Sequence, residues 1–544
     1  MSKVLSLDST TESKADKISY SLIRYFTPML ILITISILTL TAIALLFIRI
    51  FLPDFRYSWL LATAGAFLAW ISIFFWQLKM PFLLALPSWQ PEYLFTDSPA
   101  LLADQISWAY AFSVVTLGLG TLLTSTSHEN RTTLAGTLIL SIVGVLAVLA
   151  ENPLTLVMAW TAIDLAELIT LLQSVQEKRL RERVIIAFGT RVIGSFFLIW
   201  AGLTSVAEGS ALNFASAPQK AGIFMLIAAG LRLGILPMHM PFRAESLLRR
   251  GYGTMLRLTA AASSLILLAR IPYSSLQSPF IPYLLGLVAL TALYSAWMWF
   301  RTTKALDARP FWLLGMASLA LAATLHANPI GSVAWGLALV LGGGVLFLSA
   351  IQNKMLNRLL MLSVFAMSTL PMTLTATGWE NKSTQWWGFW LILLPAHALL
   401  LAGYFRQVRR INTDNLKNHN KFTVLIYPLG ISFMLFTLLL LGIWGWQGAA
   451  SIGAWQLSLI SILLITLFVW AYPRIRSLIP LQAHWLKPDT KKSKNFIYIL
   501  SWNIYHFLRN LTFQLTDLLE SDGGILWALL FIILFASLLA EGIR

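Results

Sequence analysis

The 544-residue chain contains no cysteine, which excludes disulfides, thiolate metal sites, iron–sulfur clusters and a cysteine nucleophile. Charge is scarce as well. Only 11% of residues are charged while 58% are hydrophobic, against about a quarter charged in an ordinary soluble domain, so a soluble fold is excluded. Acids are scarcer than bases, 23 against 39, which leaves a net charge of +16. In a soluble protein that surplus would suggest nucleic acid, but in a membrane protein it is the surplus of loops that carry topology signals. No nucleic-acid partner is expected. A cleavable signal pattern is also missing, since residues 1–27 are polar with mixed charges, and the first apolar run is expected to persist as a helix.

At about 20 apolar residues per span, the chain has room for about sixteen. Apolar runs begin near residues 28, 58, 106, 132, 153, 184, 220, 254, 280, 311, 330, 357, 386, 423, 452 and 524. Between the last two, Ile497, Leu500, Trp502, Tyr505, Leu508, Leu511, Leu515 and Leu518 recur at helical spacing, which predicts an amphipathic helix along a membrane or partner surface. Placing alternate loops on opposite sides puts most Lys and Arg, and the whole charge surplus, on one side. That asymmetry predicts an even span count with both termini outside, in a bacterial-type inner membrane.

A charge inside a span costs from about 3 to more than 10 kcal/mol, so the few that persist are informative. Asp164 and Glu167 lie in the fifth run, Arg191 in the sixth, Arg232 in the seventh and Arg257 in the eighth. Asp164 and Glu167, three apart, share a helix face. Arg191 falls near the depth of Asp164, so an Asp164–Arg191 pair is the simple expectation, with a proton-exchanging acid as the functional alternative. Arg257, near the inner surface, is expected to snorkel. Around Arg232, Gly230, Gly234 and Pro237 predict a broken helix, a feature that recurs beside ion pathways. Arginine holds its proton too firmly to relay it, but it can set a field, bind an anion or hold a carboxylate. His239, His326 and His397 are too scattered to define a metal or haem site, and no cofactor is expected. The glycines of LVLGGGVLFL lie inside an apolar run and read as helix packing.

From about residue 98 to 410, the order of motifs resembles the antiporter-like subunits of respiratory complex I, multi-subunit cation/proton antiporters and membrane-bound hydrogenases. LVMAWTAIDLAELITLL resembles the family segment in which Trp is followed directly by Glu; AFGTRVIGSFFL resembles Phe-x-x-x-Arg-Val-Gly-Asp; GLRLGILPMHMPFRAE resembles Gly-Lys-x-x-x-x-Pro-x-x-x-Trp-x-x-x-Ala. TMLRLTAAASSLILLARI, LDARPFWLLGMASLALAATL, WGLALVLGGGVLFLSA and LPMTLTATGW follow as the later helices and second break would. The resemblance implies an all-α polytopic membrane protein with two inverted five-helix repeats, each with a broken helix, then a lateral helix and a final anchor. It divides the chain into a polar segment 1–27, N-terminal spans 28–131, an antiporter-like core 132–410, additional spans 411–472, a loop with the lateral helix 473–523 and an anchor 524–544. It implies other membrane subunits as partners, contacted partly through Asn495 to Glu520, besides lipid.

Several positions depart from the family pattern. The fifth-helix Glu falls on Thr161, the seventh-helix Lys on Arg232, and the eighth-helix Lys or His on Leu256 or Arg257. The usual His and Lys of the eleventh helix fall on Trp335, Leu339 and Gly343, and the half-helix after the second broken helix, which ends in Gly378–Ser383, is expected to be missing, which places Lys382 near the outer surface. The ion-pathway candidates are therefore Asp164, Glu167, Arg191, Arg232, Arg257 and Lys382, with no catalytic centre in the chain itself. The expected function is a membrane subunit of a proton- or cation-translocating assembly with a degenerate or rerouted ion path. The alternatives are a module of energy-coupled inorganic-carbon uptake with a soluble partner, or a non-conducting structural subunit.

Overall fold

The computed structural model describes residues 29–478 except 53–54, 56, 86–98, 126–130, 176–177, 240–247, 249, 351–353, 381–386 and 410–420. The expected polar segment, the lateral helix Asn495–Glu520, the anchor and Lys382 lie outside the described residues. Fifteen α-helices follow in order: α1 Met29–Phe51, α2 Ser58–Trp76, α3 Gln105–Thr124, α4 Arg131–Leu149, α5 Pro153–Ser174, α6 Lys178–Ala207, α7 Gln219–Leu233, α8 Arg250–Ala269, α9 Ile281–Arg301, α10 Ala305–Leu325, α11 Pro329–Leu348, α12 Lys354–Ala366, α13 Trp390–Val408, α14 Lys421–Ile443 and α15 Trp455–Leu478. They match the first fifteen apolar runs, and twelve are long and apolar enough to cross a membrane. The chain is an integral membrane protein of all-helical type with one small addition.

That addition is a hairpin absent from the sequence reading. Phe82–Ala85 (β1) and Ala100–Ala103 (β2) pair antiparallel, Phe82 opposite Ala103 and Ala85 opposite Ala100. The runs FLLA and ALLA are too short to compete as helices, and pairing satisfies their backbone groups beside buried apolar packing. Ala100 continues the pairing by accepting from Glu151 N–H, 3.1 Å away, just before α5.

Two of the helices are too short to cross. α7 has 15 residues and α12 has 13, about 22 and 20 Å at 1.5 Å per residue, against a hydrocarbon core of about 30 Å. Leu-Pro-Met follows both, at Leu236–Met238 and Leu370–Met372. After α7, Gly234 takes the left-handed conformation, φ 77°, while Ile235 N–H donates to the Gly230 carbonyl and Gly234 N–H to that of Leu231. This is a Schellman ending, for which glycine carries no steric penalty. Among the described residues no α-helix stands between α12 and α13.

Burial separates an inner set of helices from a rim. The spanning part of α11 is 94% buried and that of α1 only 28%. α8 touches α3, α4, α5, α7, α10 and α11, so it is the hub of the core. On the rim, Phe196, Trp200 and Leu203 of α6 point outward at helical spacing, which gives lipid a continuous apolar stripe. Lipid offers apolar side chains as good an environment as protein, so the core is held by close packing. At Gly343 a Cβ would meet the Trp312 indole at 2.9 Å, and Trp312 is locked by Trp299 and Tyr404. Gly189 of α6 has nothing within 4 Å. Gly343→Ala is therefore expected to cost about 1–3 kcal/mol by overpacking, and Gly189→Ala to be neutral or stabilising by up to about 1 kcal/mol. Thermal unfolding in detergent checks both, and equal effects at the two sites would refute the packing account.

Candidate functional site

Four helices bring Asp164, Glu167, Arg191, Arg232 and Arg257 into one buried cluster. α5 starts at Pro153 behind Asn152, whose side chain accepts from Thr155 N–H, and it carries Asp164 and Glu167 inward on one face. α6 brings Arg191, the last turn of α7 brings Arg232, and α8 brings Arg257. All five side chains are buried.

The pairing differs from the sequence expectation. Asp164 is held by Arg232 through both oxygens, at 2.6 and 2.8 Å, while Arg191 stands 3.8 Å from it. Arg191 instead makes a bidentate pair with Glu167, one bond of 2.6 Å and one shorter. Arg257 does not snorkel: it is buried and donates to Glu167 Oε1. Arg232, Asp164, Arg191, Glu167 and Arg257 thus form an alternating ladder from α7 to α8. Two fork-to-fork pairs use the planar geometry that suits guanidinium to carboxylate.

Neighbours that the sequence did not single out hold Arg232 in place. Its guanidinium lies 4.1 Å from the Trp160 ring centroid, a cation–π contact that strengthens when desolvated, and Trp160 Nε1–H donates to the Ser263 carbonyl at 3.1 Å. Arg232 also donates to the Arg191 carbonyl and to Ser195 Oγ, at 3.4 and 3.3 Å. Gly194 makes room for its stem, since a Cβ there would lie 2.8 Å from Arg232 Cγ. Position in α7 helps too, because the carbonyl end of a helix favours a cation.

Arg309 was also missed. It is fully buried in α10 and donates to Thr254 Oγ1 at 3.0 Å. The apolar run predicts a span from residue 311, whereas the helix begins at Ala305, so Arg309 falls outside the predicted span and inside the observed one.

In the second half two buried histidines are wrapped in indoles. His397 Nε2–H donates to the Met367 carbonyl at 3.2 Å, and its Nδ1 pairs with Ser461 Oγ at 2.8 Å. Its ring contacts those of Trp335 and Trp379. His326, between α10 and α11, stacks on Trp390 with centroids 4.9 Å apart, and neither ring nitrogen has a hydrogen-bond partner. The two histidines expected to be unrelated share one aromatic cluster around the second break, whereas His239 sits by the first break with its Nδ1 2.9 Å from the Pro237 carbonyl. Trp335 packs against His397 and donates to the Gly378 carbonyl at 3.2 Å, while Leu339 and Gly343 are surrounded by buried apolar and aromatic side chains. Among the described residues no group of three His, Asp or Glu could hold a metal.

Removing one partner of a buried pair leaves an uncompensated charge, so Asp164→Asn is expected to cost about 3–5 kcal/mol. The double variant Asp164→Leu with Arg232→Met should recover most of that loss in detergent unfolding, and a double variant less stable than the single one would refute the pairing. Burial pushes His326 down to about 4. An unfolded histidine titrates near 6.5, so the unfolded chain binds the extra proton and stability falls as pH drops from about 6.5 towards 4. His326→Gln should flatten that part of the stability curve, and an unchanged slope would contradict the assignment.

No protein-family model and no curated protein matches the sequence. Solved structures do resemble it in fold. A chain in the structure of the Mrp complex from Dietzia sp. DQ12-45-1b superposes with a TM-score of 0.68 at 13% identity, over 95% of this chain and 63% of that one. A chain of the membrane-bound sulfane sulfur reductase, an archaeal respiratory membrane complex, gives 0.60 at 12% identity, over 93% of this chain and 100% of that one. Respiratory complex I from Thermus thermophilus, with bound Aureothin, gives 0.56 at 17% identity, over 77% and 100%. The chain spans 63% of the length of the Mrp chain it matches. It shares the fold of a chain in each of these three structures.

Proposed function

We propose that this chain is a membrane subunit of a multi-subunit complex I-like or antiporter-like assembly, and that its buried charges clamp the subunit for coupling to its neighbours rather than relay protons across the membrane. The ladder is the observation that carries this reading. Relay needs groups that take up and release protons near working pH. Here both carboxylates are engaged by guanidiniums, and arginine stays protonated. In the second half, Trp335, Leu339 and Gly343 occupy the positions where the family resemblance places titratable groups.

The inverted-repeat organisation fits the same reading. Taking α4 to α8 and α9 to α13 as the repeats, the short helix stands fourth in each, α7 and α12. The charge distribution of the loops supports sixteen spans with both termini outside. The hydrophobic spacing of Asn495 to Glu520 supports a lateral contact with partner subunits along the inner surface, ahead of the anchor.

The test is to isolate the native assembly in mild detergent, reconstitute it and compare wild type with the Asp164→Leu/Arg232→Met double variant. Co-purifying membrane subunits and a proton flux within about twofold of wild type are expected. A tenfold loss of flux with normal assembly would overturn the clamp reading, and a chain that purifies alone would overturn subunit membership.

A further inference from the structure

Beside the ladder lies a cavity of about 50 Å³ among α6, α7, α8 and α10. Its polar lining is Arg191, Arg232, Arg257, His239 and Ser264, with Ala261 and apolar side chains of α10 completing the wall. A water needs about 10–15 Å³ of such volume, so the space suits three or four waters, or one small anion with a water. Neither Asp164 nor Glu167 lines it. Both carboxylates lie behind the guanidiniums they pair with, and the charged groups on the wall are all cationic among the described residues.

Arg232 supplies a second pointer. Its two Nη groups are engaged by Asp164, yet its Nε is buried with no hydrogen-bond partner. A buried donor left unmade costs about 1–3 kcal/mol, more when charged. Arginine cannot relieve the potential by losing a proton, and the apolar surroundings screen that potential poorly.

We propose that the cavity binds one small monovalent inorganic anion, held against the guanidiniums of Arg191, Arg232 and Arg257. Such an anion complements the cationic wall and can accept from donors on its surface. The site is independent of the clamp-versus-relay question, because the Asp164–Arg232 and Glu167–Arg191 pairs stand without it.

The test uses the full chain in detergent, with sodium bromide as the probe and sodium gluconate at the same ionic strength as the reference, gluconate being too large for the cavity. Bromide is expected to raise the unfolding temperature saturably above the gluconate value. Ala261→Leu fills the cavity without altering a charge and should weaken the apparent bromide affinity at least tenfold, while Ala261→Ser keeps the space and the response. Equal unfolding temperatures in the two salts, or a bromide response unchanged by Ala261→Leu, would overturn the proposal. Should Ala261→Leu fail to fold, bromide-soaked crystals of the wild-type chain decide: an anomalous peak inside the cavity supports the site, and none there overturns it.

Discussion

An arginine inside a membrane keeps its charge, so something beside it must answer that charge, and in this chain the answer comes from one face of α5. Asp164 and Glu167, one helical turn apart, satisfy guanidiniums from three other helices. The consequence reaches past the charges themselves. α7 must end where Arg232 can reach Asp164, which Gly234 permits by taking a left-handed conformation. α6 must approach closely enough to pass the Arg232 stem, which Gly194 permits by lacking a Cβ. Trp160, one turn before Asp164, caps the guanidinium from the remaining side. Each feature alone is ordinary, and together they allow a buried polar cluster among apolar helices.

The two halves of the core solve the burial problem differently. The first keeps full charges and compensates them with bidentate pairs. The second keeps almost none. There the interior is filled by indoles, by two imidazoles and by the glycines of α11, whose bare backbone lets Trp312, Met367 and Leu117 approach. Electrostatic order in the first half and steric order in the second both hold helices together without help from the hydrophobic effect, which is weak between helices in lipid. The likeness in fold to chains of three membrane complexes at 12–17% identity is what such a division allows, since helix lengths and breaks can persist while side chains inside them change.

Apolar length and motif order are local properties, and they were enough to place fifteen helices and to single out the residues of the ladder. A run of about 20 apolar residues can satisfy its backbone in lipid only as a helix, so span positions followed from sequence. The hairpin Phe82–Ala103 and the buried Arg309 escaped for the same reason in reverse: four-residue strands and a charge at a span boundary leave no periodic signal. Which carboxylate meets which arginine was not legible at all. Arg191 and Arg232 were both deep enough to reach Asp164, and Arg257 was close enough to the surface to escape. The choice depends on the rotation and tilt of four helices, and an arginine side chain spans more distance than one turn of helix separates Asp164 from Glu167. Sequence therefore determined a membrane-spanning chain with sparse internal charge. Only the tertiary structure decided that those charges form one alternating ladder, because pairing is a property of helix packing and not of spacing along the chain.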